Sequence, residues 1–228
     1  MSQTPNNSPF NAIPPVVAAL ALLIIGVEIV FYAGASGLVG DRTAIGWRLE
    51  GFQQYSFSPD ILKWMWQTGQ WPSEHLLRFV SYLFLHGGFV HALFASAIVL
   101  ALGKMVGEIF HPLATLVVFL GSGIVGALAF ALAWSDAGAL IGAYPGAYGL
   151  IGAFTFLMWV KLRAVGENQT RAFSLIGFLL GIQLVFGALF GGNGDWVADL
   201  AGFVTGFLLS FVFVPGGWSR IREMIRHD

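Results

Sequence analysis

The chain contains 228 residues, of which 57% are hydrophobic and only 10% are charged. Because soluble domains are about 45–50% apolar, this composition excludes an ordinary soluble protein and indicates an integral membrane protein. The net charge of −1 gives no indication of a nucleic-acid partner. The absence of cysteine excludes disulfides, thiolate chemistry and cysteine-based metal sites.

Apolar stretches predict an all-α polytopic membrane protein that crosses the bilayer six times. The predicted spans are Ile13–Leu38, His75–Leu102, Leu113–Trp134, Ala139–Val160, Phe173–Phe190 and Trp196–Val214. We expect residues 1–12 to form a cytoplasmic tail, residues 13–214 a membrane domain and residues 215–228 a basic cytoplasmic tail. No lysine or arginine precedes the first span, which is also too long for a signal-peptide core, so we expect no cleaved signal.

Basic residues are distributed unevenly among the predicted links. The links after spans two and four and the C-terminal tail contain Lys104, Lys161, Arg163, Arg171, Arg220, Arg222 and Arg226. The short links after spans three and five contain none. Since lysine and arginine favour the cytoplasmic side, this asymmetry predicts a multi-pass protein of the cell (inner) membrane with both termini in the cytoplasm. We expect the tail arginines to contact anionic lipid headgroups.

The one long connection, Val39–Glu74, is predicted to be an outer loop that associates with the membrane. It is rich in tryptophan, tyrosine and phenylalanine, whose rings accumulate at the headgroup level. We predict a short helix over Pro59–Gln70 that lies in the outer leaflet. The alternative is a loop that merely packs on the helix ends.

The fourth predicted span is rich in glycine. The spacing of its small residues places them on roughly one side of a helix, which lets neighbouring helices approach closely. These residues are Gly142, Gly146, Gly149 and Gly152. We therefore predict that other helices pack on this one.

Pro145 predicts where the fourth helix begins. Proline suits the first helical position, so we expect a short central helix over Pro145–Val160. Such a helix rises about 24 Å, less than the roughly 30 Å of the hydrocarbon core. The preceding segment, Ala137–Tyr144, is then expected to be non-helical and to line protein or a water-filled cavity, because lipid cannot satisfy its backbone groups.

Ionisable side chains within the predicted spans need a structural or functional explanation. On insertion scales, placing one ionised side chain at the middle of the membrane costs about 2.5–3.5 kcal/mol. His86 and His91 lie in the second span, and their offset of five predicts that the two side chains diverge on a helix. No third ligand lies nearby in the sequence and there is no HExxH pattern, so we predict no metal site, and we expect no cofactor. Asp199 lies at the start of the sixth span, ahead of Gly202 and Gly206, whose spacing is typical of helix packing.

These ionisable groups are open to two interpretations. Each can form a structural hydrogen bond to a neighbouring helix. Alternatively, His86, His91 and Asp199 handle protons or ions in a wet cavity, which requires the three side chains to converge.

Taken together, several motifs over residues 13–214 resemble the rhomboid intramembrane serine proteases. They are Trp47-Arg48 in the outer loop, Arg78-Phe-Val-Ser-Tyr-Leu-Phe-Leu-His86 in the second span, the glycine-rich fourth span and the G-x-x-x-G of the sixth. In that family a serine in G-x-S-G at the start of span four is activated by a histidine in span six. A histidine and an asparagine in span two help to hold the oxyanion. The resemblance implies a six-helix rhomboid-like bundle.

The chain departs from the catalytic pattern of that family. Pro145 occupies the position of the serine, and Asp199 occupies that of the base histidine. In span two His91 is kept, but Ala95 replaces the asparagine. Because proline cannot attack a carbonyl, the resemblance implies a pseudoprotease.

By the same resemblance, we expect the protein to bind transmembrane helices of client proteins within the lipid bilayer. The candidate binding residues are His86, His91, Tyr144, Gly146 and Asp199. The alternative is an active rhomboid serine endopeptidase with a non-standard nucleophile. Ser122 superficially resembles part of G-x-S-G, but Leu120 occupies the place of the first glycine.

Overall fold

The computed structural model describes residues 12–134, 138–190 and 194–214, which are mostly helical. The α-helices are α1 (Pro15–Ala35), α2 (Trp47–Tyr55), α3 (Pro59–Thr68), α4 (Ser73–Ser81), α5 (Phe89–Gly107), α6 (Pro112–Ala133), α7 (Tyr144–Ala164), α8 (Ser174–Phe190) and α9 (Trp196–Phe213). Short 3-10 segments are Arg42–Gly46, Tyr82–Phe84 and Gln169–Phe173. The predicted basic tail, residues 215–228, lies outside the described residues, as do residues 1–11 of the N-terminal tail.

Within the described ranges, five helices are long and apolar enough to cross a membrane: α1, α5, α6, α7 and α9. This confirms a polytopic helical membrane protein. The fifth predicted span corresponds to α8, which has only 17 residues. At 1.5 Å per residue α8 rises about 26 Å, so the count of six spans stays a prediction.

Helix α7 lies at the centre of the bundle. In its apolar window 61% of the residues are buried, compared with 28–39% in the other four candidate spans. It packs against α5, α6 and α9. The prediction that this helix is short is wrong, because it has 21 residues and continues through Lys161 and Arg163. Cations in a last turn favour that continuation, since they interact with the final carbonyls and with the helix dipole.

Glycines bring α7 and α9 into backbone contact. A Cβ added at Gly206 would collide with the carbonyl of Gly149, and one added at Gly202 would collide with the carbonyl of Pro145. Gly152 faces the backbone of α9 in the same way. Such close approach is the usual means by which small residues join helices in a membrane.

Gly142 does not belong to this helical strip. Helix α7 begins at Tyr144, with Pro145 in its first turn, so the start predicted at Pro145 differs by one residue. Gly142 precedes the helix and has a φ of +108°, in the region that favours glycine. The predicted helical spacing therefore does not extend to this residue.

The second predicted span, His75–Leu102, is not one helix. The chain forms α4 and a 3-10 turn, and α5 begins only at Phe89. Between them Gly88 is extended, with φ 165° and ψ 172°. The adjacent Gly87 and Gly88 explain the interruption, because glycine has the lowest helix propensity after proline.

The described residues before α7, 138–143, are non-helical, as predicted, and bond to protein. Leu140 pairs with Phe57 of the first loop through two hydrogen bonds, with N···O distances of 2.8 and 3.2 Å. The N–H of Gly142 donates to the carbonyl of Tyr82 at 2.9 Å. Protein groups thereby satisfy this backbone, as a segment at membrane depth requires.

The first loop contains the predicted helix. The sequence predicts it over Pro59–Gln70, and α3 covers Pro59–Thr68 before Gly69 ends it in the left-handed conformation. The preceding α2 begins at Trp47 and was not predicted. Its mixed polar and apolar composition obscures the helical pattern, because an interfacial helix has no continuous apolar run.

An ion pair fastens this loop to α1. Arg48 donates through Nη2 to Glu28 Oε1 at 2.7 Å and through Nη1 to Oε2 at 2.8 Å. Its Nη1 also donates to the carbonyl of His86 at 2.6 Å. Glu28 is only 1% exposed. The bidentate geometry gives a strong, oriented contact that joins α1, α2 and the segment before α5.

Candidate functional site

A cavity of about 530 Å³ opens beside the N-terminal end of α7. It is lined by residues of α5, α7, α8 and α9 and of the segment before α7: His91, Phe94, Ile98, Leu140, Ile141, Tyr144, Pro145, Tyr148, Leu179, Ile182, Gln183, Asp195 and Asp199. The lining combines an apolar surface with a few polar groups, which is typical of a ligand site. No serine, threonine, cysteine or lysine is among the lining residues that the structure describes.

The structure places Pro145 and Asp199 on the same cavity. Pro145 lies in the first turn of α7, where its missing N–H leaves no helical bond unmade. Asp199 lies in the first turn of α9 and is 3% exposed. The contact of Gly202 with the carbonyl of Pro145 holds these two turns together.

The carboxylate of Asp199 is held by an amide of α8. Gln183 donates through Nε2 to Asp199 Oδ2 at 2.7 Å. The hydroxyl of Tyr148 donates to Gln183 Oε1 at 3.4 Å. This chain of hydrogen bonds joins α7, α8 and α9 at the cavity. Sequence reasoning missed Gln183, although an amide inside an apolar span is the kind of residue that needs a partner.

The two histidines of the second predicted span lie close together. Their ring centroids are 5.0 Å apart, so the prediction that they diverge is wrong. His91 is on α5, whereas His86 lies in the non-helical segment that precedes it. Helical spacing therefore does not apply to the pair.

Each histidine is oriented by a backbone N–H. The N–H of Gly87 donates to Nδ1 of His91 at 3.2 Å, and the N–H of Ala143 donates to Nε2 of His86 at 3.2 Å. A neutral imidazole that accepts through one nitrogen carries its proton on the other. His91 therefore presents Nε2–H as its donor, and this ring stacks on Tyr144 with centroids 5.2 Å apart.

Gly142 makes room for the ring of His91. A Cβ at Gly142 would lie 3.1 Å from both Cε1 and Nε2 of His91. Together with its positive φ, this proximity explains glycine at that position. The non-helical segment before α7 thus leaves the space that the ring of His91 occupies in the site.

Other predicted site residues lie away from the cavity wall. Ala95 on α5 is fully buried in the apolar core. A Cβ at Gly146 would lie 2.8 Å from the ring of Phe119, so this glycine faces α6. His86 is 1% exposed and supports the segment before α7. Ser122, the alternative nucleophile, is completely buried where α6 meets α7 at Gly149.

The described lining of the cavity offers several hydrogen-bonding groups. Its polar groups are the donors of His91 and the tyrosines, the amide of Gln183 and the carboxylates of Asp195 and Asp199. Within the described residues, no three histidine, cysteine, aspartate or glutamate side chains are grouped so as to hold a metal ion. His91 and Asp199 line the same cavity, but the described hydrogen bond of the carboxylate is to Gln183.

Comparisons with known proteins agree with this architecture. The profile of the Rhomboid domain matches residues 73–216. A Bacillus subtilis (strain 168) protein named "Putative rhomboid protease YdcA" is 26% identical over 148 residues, which cover 64% of this chain and 69% of that protein. "RHOMBOID-like protein 1" of Arabidopsis thaliana is 29% identical over 137 residues, covering 60% of this chain and 34% of that protein. This match therefore spans about a third of the Arabidopsis protein. The helical membrane bundle and these similarities show that the chain belongs to the rhomboid family.

Proposed function

We propose that this protein is a rhomboid pseudoprotease that holds part of a client transmembrane helix without cleaving it. The observation that carries the proposal is Pro145 on the wall of the cavity. In acyl transfer the nucleophile must lie within reach of both a base and the substrate carbonyl. Proline has no group that can attack a carbonyl carbon. The absence of the nucleophile is by itself enough to remove the route through a covalent intermediate.

The environment of Asp199 supports the same proposal. A general base must be within hydrogen-bond reach of the proton that it accepts. Here the carboxylate accepts from Gln183, and the nearby α7 turn presents Pro145. Asp199 therefore serves as an acceptor that links α8 to α9.

Client binding is supported by the groups that remain in the cavity. Phe94, Ile98 and Ile182 offer an apolar surface to client side chains. His91 Nε2–H and the hydroxyl of Tyr144 can donate to client carbonyls where a helix has unwound. A cavity of about 530 Å³ lies in the usual range for ligand sites, so it suits a short stretch of a client.

We also propose that the protein lies in the cell (inner) membrane and that both of its termini face the cytoplasm. Lys104 lies in the last turn of α5, and Lys161 and Arg163 lie in the last turn of α7. A cytoplasmic location of these helix ends follows the preference of short basic links for that side.

A cleavage assay in liposomes tests the loss of proteolysis. We expect wild-type protein to cleave no member of a panel of single-span substrates and to resist labelling by a fluorophosphonate probe. The reconstructed variant Pro145→Ser/Asp199→His/Ala95→Asn is expected to gain both. Its matched control is Pro145→Ala/Asp199→His/Ala95→Asn, which lacks only the nucleophile. Cleavage or serine labelling by the wild type would refute the proposal.

Site-specific photocrosslinking in cells tests client binding. A crosslinker at Ile182, on the cavity, is expected to capture membrane proteins through their transmembrane segments. The control position is Leu132 on α6, which is 87% exposed and does not line the cavity. Equal capture from both positions would contradict binding at the cavity.

A further inference from the structure

A second groove lies between α1 and the first loop. Its volume is about 710 Å³, which exceeds that of the cavity beside α7. It is lined by Leu22, Leu23, Gly26, Val27, Val30, Phe31, Trp47, Glu50, Gly51, Gln54, Tyr55, Ser81, Phe84 and Leu85. None of the groups discussed for the candidate site lines it.

The groove runs along a helix that is long enough to cross the membrane. The lining residues of α1 extend from Leu22 to Phe31 on one face. At 1.5 Å per residue they cover about 14 Å of the helix axis. Leu22 and Val30 are 72% and 53% exposed. An occupant therefore lies parallel to a transmembrane helix, as an acyl chain does.

The two ends of the groove differ in polarity. Helix α2 packs on Phe31, where a Cβ at Gly51 would lie 2.7 Å from the ring. At this end α2 contributes Glu50 and Gln54 to the lining. The Leu22 end, in the middle of α1, is lined by aliphatic side chains. The groove thus matches an amphipathic molecule with its polar group at the level of α2.

The polar end has a net negative charge. Glu50 is exposed and forms no ion pair with any described residue. The neighbouring Arg48 is already bound to Glu28 and to the carbonyl of His86. No lysine or arginine lines the groove in the described chain. A cationic group is therefore the complement of this end, and a headgroup with a net negative charge is disfavoured.

From these observations we propose that the groove binds a phospholipid with a primary ammonium headgroup, of the phosphatidylethanolamine class. One acyl chain lies along α1 between Leu22 and Phe31, and the ammonium pairs with the carboxylate of Glu50. A client helix is a poorer match, because its apolar surface would cover that carboxylate and remove its water without offering a cation.

Native mass spectrometry of the full chain tests the proposal. The detergent-solubilised protein is mixed with equal amounts of phosphatidylethanolamine, phosphatidylcholine and phosphatidylglycerol. We expect retention of phosphatidylethanolamine over phosphatidylglycerol by about two- to fivefold, the range for an exposed ion pair. Glu50→Gln is expected to abolish this preference. The control Glu74→Gln, on α4 and outside the groove, is expected to keep it.

A second variant tests the position of the acyl chain. No atom lies within 4 Å of a Cβ placed at Gly26, so Gly26→Phe fills the groove without a clash at that atom. We expect retention of all three lipids to fall by about tenfold, because the filled groove has no room for a chain. Gly177→Phe on α8 is the control, since Gly177 is equally open and lies outside the groove.

Several outcomes would overturn the proposal. They are retention of phosphatidylcholine or phosphatidylglycerol equal to or above that of phosphatidylethanolamine, a preference that survives Glu50→Gln, and retention that survives Gly26→Phe. A wild-type dimer that Gly26→Phe converts to monomer would assign the groove to a second copy of the chain instead.

Discussion

The two walls of the cavity beside α7 are built in different ways. One wall consists of α5, α7 and α9, and glycines bring the backbones of α7 and α9 into contact. The other is α8, whose Gly177 and Gly181 have no atom within 4 Å of an added Cβ. Within the described chain, the polar links between α8 and the first wall are the two hydrogen bonds of Gln183, to Asp199 of α9 and to Tyr148 of α7.

The cavity thus combines a fixed surface, formed by α5, α7 and α9, with a weakly held one, formed by α8. Regions with few buried contacts open at lower free energy than the core to which they are attached. The fixed wall is therefore expected to keep its shape, while α8 is the wall expected to move more readily. Substitutions that weaken the fixed wall are therefore expected to cost more stability than substitutions in α8.

The largest effect on stability is expected from Arg48→Met, which removes the contacts that join α2 to α1 and to the segment before α5. The variant leaves the buried carboxylate of Glu28 without its partner and frees the carbonyl of His86. We expect a loss of about 3 kcal/mol in the free energy of unfolding. Chemical unfolding in mixed micelles measures it. Arg42→Met, at the start of the 3-10 segment, is the control, and an equal loss in both variants would contradict the assigned role.

Alanine substitutions at two glycines are expected to have opposite signs. Gly206→Ala forces α9 away from the carbonyl of Gly149 and should cost about 2 kcal/mol. Gly177→Ala meets open space on α8 and should stabilise by up to about 1 kcal/mol, since alanine has the higher helix propensity. Thermal unfolding of both variants measures the sign of each change in stability. Two changes of the same sign would mean that the walls do not differ as described.

Gly142→Ala tests the segment that supports His91. The substitution places a Cβ against the ring of His91 and forces alanine into a left-handed conformation. We expect a loss of about 1–2 kcal/mol. The ring should also shift from its stack on Tyr144, which the NMR chemical shifts of the imidazole report. Unchanged imidazole shifts would show that the glycine is needed for the backbone alone.

The smallest effect on global stability is expected from Gln183→Leu. The variant removes the amide that binds Asp199 and should cost about 1 kcal/mol. Hydrogen exchange should increase in α8 and remain unchanged in α7. Gln53→Leu, with an exposed side chain on α2, is the control. Unaltered exchange in α8 would show that other contacts hold this wall.

The sequence could predict features that depend on local pattern. Apolar stretches predicted the bundle, and the motifs around Pro145 and Asp199 predicted that these distant residues belong to one family site. The structure places both on one cavity. The spacing of Gly202 and Gly206 predicted packing, and both glycines meet the backbone of α7. The bundle and the glycine packing could be predicted because membrane thickness and small residues constrain structure strongly.

Features that depend on a local interruption or a distant partner could not be predicted. The break at Gly87 and Gly88 brought His86 to His91, although helical spacing separated them. The role of Gln183 depends on its hydrogen bond to Asp199, which lies on another helix. The length of α7 depended on its polar last turn, which hydropathy assigned to a link. In each case periodicity describes one helix and gives no information about its neighbour.

The pairing of Phe57 with Leu140 limits how the first loop can change in length. Its two hydrogen bonds align the end of the α2 region with the segment that precedes α7. An extra residue inserted between Ser56 and Phe57 would shift this alignment and turn side chains to the opposite face. Insertions near Gly69, where α3 has ended and the chain is exposed, leave the pairing intact. The first loop can thus be lengthened near Gly69 but not between Ser56 and Phe57.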